Sequence, residues 1–401
     1  MNLDWLIIGG GIHGSHIAAR LIGEACISPD RIRIVDPCER LLDRWKSRTA
    51  ITGMTHLRSP AVHHLGIDHG DLRRFATRGR KRIHRPFAPP FNRPSLKLFN
   101  AHCDQIEQAY KLTDLHIRDR AVKCLVDCDK AVVKLAGGTE MHSRNVVLAI
   151  GSGDQTQWPE WAPRDEPRVQ HVFEPGFEDW PTIVQTIMVV GGGISSGHVA
   201  LRLLKEGHDV HLVSRHTLRH HQFDSDPGWL GEKYASVFGR TKDVDQRRTV
   251  ITTARHRGSV PPDMGRSLRR AINRKQMHRH EDQISNLVID DQGVHVTLAT
   301  SDVITVDRLM LATGFAGGRP GGAMLDDLIA SASLPCAECG FPIVDSTLQW
   351  HPRVFVSGAL AELELGPVSR NIAGARWAGD RIVNAIRSDN TSHPPTPVMA
   401  Q

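Results

Sequence analysis

Gly9, Gly11 and Gly14 stand at G-x-G-x-x-G spacing, directly after the apolar run Trp5, Leu6, Ile7, Ile8 and directly before a stretch of helical pattern over residues 12–23. Residues of this type at this spacing hold a diphosphate. The first glycine permits a tight turn, the second lets a pyrophosphate approach the backbone, and the third lets helix pack closely on strand. The amino terminus of the helix adds free N–H groups and partial positive charge. Asp36 closes the next apolar stretch at about the twenty-residue distance where a carboxylate accepts hydrogen bonds from ribose hydroxyls. A merely structural glycine turn would explain the triplet alone, but not the strand, helix and acid in register with it.

The pattern returns. Gly191 and Gly193 match the first two glycines, Ser196 takes the third position, and Gly197 follows it. Here the second strand ends in Ser214 and Arg215, with His216 and Arg219 close behind, and no acid is present. A carboxylate suits a bare ribose, whereas a serine and a guanidinium suit a ribose 2′-phosphate, which Arg can grip bidentately. The first unit therefore reads as an FAD site and the second as an NADPH site. Arg215 could also be an ordinary surface residue; the missing acid favours the phosphate role.

Both units need a sheet to hold them. After the first comes a meander with a hairpin at 136–139 and a buried strand ending at Gly151. After the second comes another, with a hairpin at 291–293 and a buried strand ending in Thr313 and Gly314. The expected fold is α/β, with two Rossmann-like dinucleotide-binding domains, the NADPH domain inserted in the FAD domain as in glutathione reductase. The boundaries expected are 1–155 for the first part of the FAD domain, 156–315 for the insert, 316–388 for the return segment and 389–401 for a polar, Pro-rich disordered tail. The return segment carries a strand from Val354 ending at Gly358, then a helix over 368–386. Its amino-terminal Ser369, Arg370 and Asn371 could face a flavin and stabilise negative charge on it, or simply cap a helix that closes the sheet.

Composition bounds the remainder. Apolar content of 40% and charged content of 23% are those of a soluble globular protein. No run of eighteen apolar residues exists, so no membrane span is expected, and a first strand starting about four residues from Met1 leaves no room for a signal peptide, which points to the cytoplasm. Seven cysteines, an odd number, fit reduced thiols. Cys124 with Cys128, and Cys336 with Cys339 at C-x-x-C spacing, raise a zinc site or redox pair, although such spacings are more often incidental. The net charge of +6 gathers at residues 78–82 and 266–279. With only 5% aromatic residues to stack bases, a solvated basic face and guidance of anionic cofactors are favoured over nucleic acid.

With both glycine motifs placed, the chain resembles the FAD- and NADPH-dependent flavoprotein monooxygenases, closest to the lysine and ornithine N-hydroxylases. The likeness is carried by GGGIHG, by VVGGGISSG and by Leu311, Ala312, Thr313, Gly314 and Phe315, similar to the segment that links the two domains in those families. Trp45 and residues 49–60 match in position a segment that packs near the flavin. Residues 168–173 lack the Phe-x-Gly that precedes a histidine motif in flavin monooxygenases. The resemblance implies that NADPH reduces FAD and that the reduced flavin and dioxygen form a hydroperoxide that oxygenates a small nucleophilic substrate, the flavin carrying the hard chemistry. His56, Arg58 and Asn371 are the expected catalytic residues. Gly9, Gly11, Gly14, Asp36, Trp45, Ser59, Gly151, Gly191, Gly193, Ser196, Ser214, Arg215, Thr313, Gly314, Gly358 and Arg370 are the expected cofactor contacts. Two alternatives stay open: an NADPH-flavin reductase passing electrons to a disulfide through Cys336 and Cys339, and a flavin-bearing binding protein that uses the basic surface.

Overall fold

The computed structural model describes residues 3–78, 85–177 and 179–392. Its first sheet is built around Leu3–Ile8, in which Leu6 and Ile7 are wholly buried. Alternate residues of this strand serve opposite faces, so its apolar run feeds two cores: Ile7 packs with the helix Ile12–Gly23, and Leu6 with the meander and return segment. Burial of this kind contributes roughly 1.5–3 kcal/mol per large side chain. The strand pairs in parallel with Ile32–Asp36 on one side and Glu140–Leu148 on the other. His116–Arg118 extends the sheet beyond Ile32–Asp36, and Val354–Val356 extends it beyond Glu140–Leu148.

The second sheet repeats the plan. Thr186–Val190 lies between Asp209–Val213 and Arg308–Leu311, as Leu3–Ile8 lies between its own neighbours. Val169–His171 and His278–His280 form its edges, all pairs are parallel, and the antiparallel meander Ile284–Asp290, Gly293–Leu298, Val303–Val306 covers one face. The chain enters and leaves this unit through two segments that run side by side. Thr156 bridges Phe315, Gln157 N–H donates to the Gly314 carbonyl at 2.9 Å, and Ala316 N–H donates to the Gln155 carbonyl at 2.8 Å.

Three details depart from the sequence reading. The pattern of residues 38–47 suits a short helix, but the helix is Asp43–Ile51, because Cys38 N–H is held by Asp36 and Leu42 N–H by the Gly10 carbonyl, which keeps 38–42 on the glycine turn. The last helix is Ile372–Ser392: it starts after a tight turn at Gly366–Val368 that contains Pro367, and it ends inside the segment expected to be a disordered tail. Residues 393–401 of that tail lie outside the described residues, as do 79–82 of the first basic run. The second basic run forms part of the amphipathic helix Pro262–Asn273, with Met264 and Leu268 inward and Arg266, Arg269 and Arg270 exposed, and continues into the edge strand His278–His280. Helices Glu232–Arg240 and Val244–Ala254 were not foreseen; they bridge the second unit to the return segment. Among the described residues no helix is long and apolar enough to cross a membrane.

Candidate cofactor and active site

The first turn is shaped by contacts that exclude side chains. Gly9 has φ +111°, and a Cβ on it would lie 2.5 Å from the Ala149 carbonyl oxygen; one on Gly14 would lie 1.8 Å from the Gly9 oxygen. Only glycine permits this approach. Gly11, just before the helix Ile12–Gly23, has nothing within 4 Å of its Cβ direction, and Gly151 at the end of the neighbouring strand is equally open. Asp36 closes the turn: Oδ2 accepts from Gly10 N–H at 2.6 Å and Oδ1 from Cys38 N–H at 2.9 Å. A carboxylate has about four lone-pair sites, so hydroxyls can still be received there.

Gly358 meets the first turn from the return segment. It has φ +65°, and its Cβ direction points at the His13 ring, 3.6 Å away. His13 Nδ1 lies 2.8 Å from Ser357 Oγ, while its Nε2 is buried without a protein partner. Burial pushes His13 down to about 4, against the opposing pull of the Arg370 and Asn371 backbone, so the ring is neutral. Neither His13 nor Ser357 was singled out from sequence; the histidine inside the glycine motif was the available signal.

Arg370 does not point freely at a ligand. It grips the wholly buried Glu362, Nε to Oε2 at 2.7 Å and Nη2 to Oε1 at 3.0 Å, and reaches Ser152 Oγ at 3.3 Å. Arg248, from the second unit, pairs with the same carboxylate. Burial alone would raise Glu362, but its bonds and charge contacts with Arg370 and Arg248 hold it below the usual range.

Arg58 is likewise committed. Its Nε donates to the Gln222 carbonyl at 2.9 Å, Nη2 to the carbonyls of His221 and Phe223 and to Ser259 Oγ at 2.8–2.9 Å, and Nη1 pairs with Asp224. It ties the first unit's loop to the second unit. Arg93 with Asp263, Arg202 with the Ile51 carbonyl, and Arg247 with Glu364 do the same elsewhere. Two cavities meet at Arg58. One, of about 40 Å³, is lined by Arg58, Ser59, His63 and Asn371 together with Phe223 and Asp224. The other, of about 520 Å³, is lined by His56, Arg58, Arg93, His198, Asp263 and Met264 among others. His56 is half-buried, its Nε2 3.3 Å from the Arg85 carbonyl and its Nδ1 3.3 Å from Thr55 Oγ1. Trp45 stands apart from both cavities as a packing residue, its ring 5.3 Å from Phe99 and its Nε1 donating to Asn100 at 3.1 Å.

The second turn copies the first with changes. Gly191 has φ +145° and lies against the Ala312 carbonyl, as Gly9 lies against that of Ala149. Ser196 is buried where Gly14 stands, its Oγ donating to the Gly193 carbonyl at 2.8 Å. Beyond the Gly193 Cβ direction lies Gly258 Cα at 3.7 Å, and a Cβ on Gly192 would meet the His216 ring. Ser214 is buried and turned inward, donating to the His216 carbonyl and receiving Arg279 Nη2 at 2.7 Å. Arg215 is exposed and, among the described residues, has no hydrogen-bond or ion-pair partner. Thr313 and Gly314 bond to Gln157 and belong to the paired connecting segments. All seven cysteines are free thiols. Among the described residues, neither Cys336 nor Cys339 belongs to a cluster of potential metal ligands.

The open glycine cradle, the acid at its side and the unpartnered buried His13 Nε2 fit a bound FAD. The second turn with a free Arg215 beside it fits NADPH. A profile of the pyridine nucleotide-disulphide oxidoreductase family matches residues 3–380. A comparison with curated protein sequences returned no match. Among solved structures the chain is similar to the ornithine N-hydroxylase of Kutzneria sp. 744 with reduced FAD, NADP⁺ and L-ornithine, at 15% identity and TM-score 0.75, covering 97% of this chain and 100% of that one. It is also similar to the ornithine hydroxylase of Pseudomonas aeruginosa, at 13% identity and TM-score 0.74 over 97% and 99% of the two chains. The bacillithiol disulfide reductase of Bacillus cereus shares the fold at 18% identity and TM-score 0.62, over 97% and 100%. This chain belongs to the pyridine nucleotide-disulphide oxidoreductase family and is an oxidoreductase of FAD and NADPH built on the fold those hydroxylases share.

Proposed function

We propose that the protein is a monooxygenase of the N-hydroxylase type, inserting one atom of dioxygen into a small nucleophilic substrate, an amine foremost. The observation that carries this reading is the pair of cavities at Arg58. About 40 Å³ between Ser59, Asn371 and Phe223 suits a molecule the size of water or dioxygen, and about 520 Å³ beside it is within the range of small-molecule sites. Reduced FAD, when bound, supplies the oxygen-activating chemistry.

In this reading Gly9, Gly11, Gly14, Gly151 and Asp36 hold the dinucleotide, and Gly358 lets the return segment approach it. The residues that lead into the helix Ile372–Ser392 lie beside this site, with the Arg370 and Asn371 backbone reaching His13 and Asn371 lining the small cavity, so the helix's partial positive charge would favour an anionic ring held there. Arg370 acts through Glu362 by fixing that helix start. Trp45 packs the loop that precedes Ser59. Gly191, Gly193 and Ser196 form the NADPH turn, with Arg215 on the 2′-phosphate and Ser214 orienting the strand end. Thr313 and Gly314 hold the connection between the units. Arg58, fastened to the second unit, excludes water, and His56 and Asn371 line the two cavities. The domain division 1–155, 156–315 and 316–388 belongs to the same proposal: strands of the first sheet come from 3–148 and 349–356, those of the second from 169–311.

The disulfide-reducing alternative needs an activated thiol. Burial pushes the Cys336 thiol up rather than down, the direction opposite to that of a reactive thiolate. The test is turnover with NADPH and isotopically labelled dioxygen in the presence of L-ornithine, L-lysine and simple primary amines. One labelled oxygen in the product is expected, with turnover kept in the Cys336→Ser/Cys339→Ser double variant. Hydrogen peroxide as sole product with every amine, together with loss of disulfide-dependent NADPH oxidation in that variant, would overturn the proposal.

A further inference from the structure

The outer edge of the second sheet, beside the strand that ends at Ser214, gathers imidazoles. Asp209–Val213 and the edge strand His278–His280 run parallel, with His211 opposite His278 and Val213 opposite His280. Side chains in a strand alternate between faces, so Asp209 and His211 share a face with His278 and His280. The potential ligand atoms of Asp209, His211 and His278 all lie within 4.8 Å of one another. His278 Nε2 is 3.4 Å from Asp209 Oδ1, and the rings of His211 and His278 lie 4.5 Å apart at 21°. On its other side His211 Nδ1 is 3.0 Å from His280 Nε2, with the two ring planes parallel.

We propose that Asp209, His211 and His278 form a binding site for a divalent transition-metal ion at the edge of the second sheet, with His280 orienting His211 from behind. Two imidazoles and a carboxylate select zinc-like ions over magnesium or calcium, which prefer all-oxygen sites. Three protein ligands leave a coordination position for water. With His211 Nδ1–H donating to His280 Nε2, His280 does for His211 what an outer partner does for metal-bound histidines generally: it fixes the tautomer that leaves Nε2 free for the ion, and the orientation of the ring. Asp209 and His278 are about half exposed, so an ion can enter without opening the fold. The cluster lies on an edge strand, where a metal bridge between neighbouring strands would pin an otherwise one-sided element. Neither the flavin cradle nor Arg215 takes part in it.

The experiment is titration of the chelator-treated full-length holoenzyme with zinc chloride by calorimetry, with magnesium chloride in parallel, and thermal unfolding at each end point. One equivalent of zinc is expected to bind and to raise the unfolding temperature, and magnesium to do neither. His278→Ala and Asp209→Asn, both at exposed positions, should abolish the zinc response while leaving the metal-free unfolding temperature and flavin content unchanged. His280→Phe should weaken binding by about 10–100-fold, the effect of losing an outer partner. Asp127→Asn, in the other exposed cluster with Cys128 and Asp129, should change nothing. Absence of zinc binding, or zinc binding retained in full by both His278→Ala and Asp209→Asn, would overturn the proposal.

Discussion

The two glycine turns are copies that have been finished differently. In the first, a Cβ at Gly14 would fall 1.8 Å from a backbone oxygen, and the space beyond Gly11 is empty. In the second, a serine fills the third position, Gly258 stands over Gly193, and the His216 ring lies against Gly192. At the strand ends the contrast continues: Asp36 binds back onto its own turn, whereas Ser214 faces Arg279 and leaves Arg215 free in solvent. A turn that is tight behind and open in front suits a cofactor that stays. A turn partly roofed, with an exposed, unpaired cation beside it, suits one that is captured and released with each cycle. Repetition of a motif therefore specifies the fold of each unit but not the lifetime of what it holds.

Gly14→Ala should break the comparison most severely. The clash is with backbone, so about 1–3 kcal/mol or more is expected against the bound form, seen as flavin lost from the purified protein in its visible absorbance. Arg58→Ala tests the clasp between the units. Flavin content should remain, but the rate of flavin reduction by NADPH should fall roughly a hundredfold, since misplacement of reacting groups by an ångström costs that much. An unchanged rate would mean that Arg58 does not set the geometry between the rings.

Arg215→Ala addresses the second turn alone. The KM for NADPH should rise about tenfold or more, the worth of a charge-assisted contact of roughly 1.5–3 kcal/mol, with the KM for NADH unaltered. Acid should act on both units. Burial pushes His64 and His102, both wholly buried in the first unit, and His13 down to about 4, and does the same to the wholly buried His171 of the second. Neutral in the fold and protonated near the ordinary 6.5 when unfolded, they favour folding fully above that value and progressively less as pH falls toward 4. Unfolding temperature and retained flavin should decline together across that window; a flat profile would refute the buried, neutral assignment. The smallest effect is expected from Ser196→Ala, which removes one side-chain bond to the Gly193 carbonyl, about 1 kcal/mol, and should barely move NADPH affinity.

Local patterns were legible in advance because each rests on residues near one another in sequence. The helix Ile12–Gly23 and the strand ending at Asp36 follow from apolar spacing and turn chemistry. What escaped is long-range. Nothing in the spacing of Arg58 says that its guanidinium will bind carbonyls of residues 221–223, and nothing in Glu362 says that arginines from both units will meet on it. Arg370 and Thr313, read as ligand contacts, spend their polar atoms on protein instead. Residues 219–260 were opaque because their contacts are made across the domain boundary, where periodicity carries no signal.

The insertion has a temporal consequence. Val354 pairs with Val146, so the first sheet waits for a strand synthesised after the whole second unit, whose own strands close earlier at Arg308–Leu311. On a ribosome the inner unit can fold first, while the outer one remains an unclosed sheet with its Glu140–Leu148 flank bare, completed only once residues 349–356 have emerged. Chains truncated before residue 354 should therefore retain the inner unit yet never turn yellow.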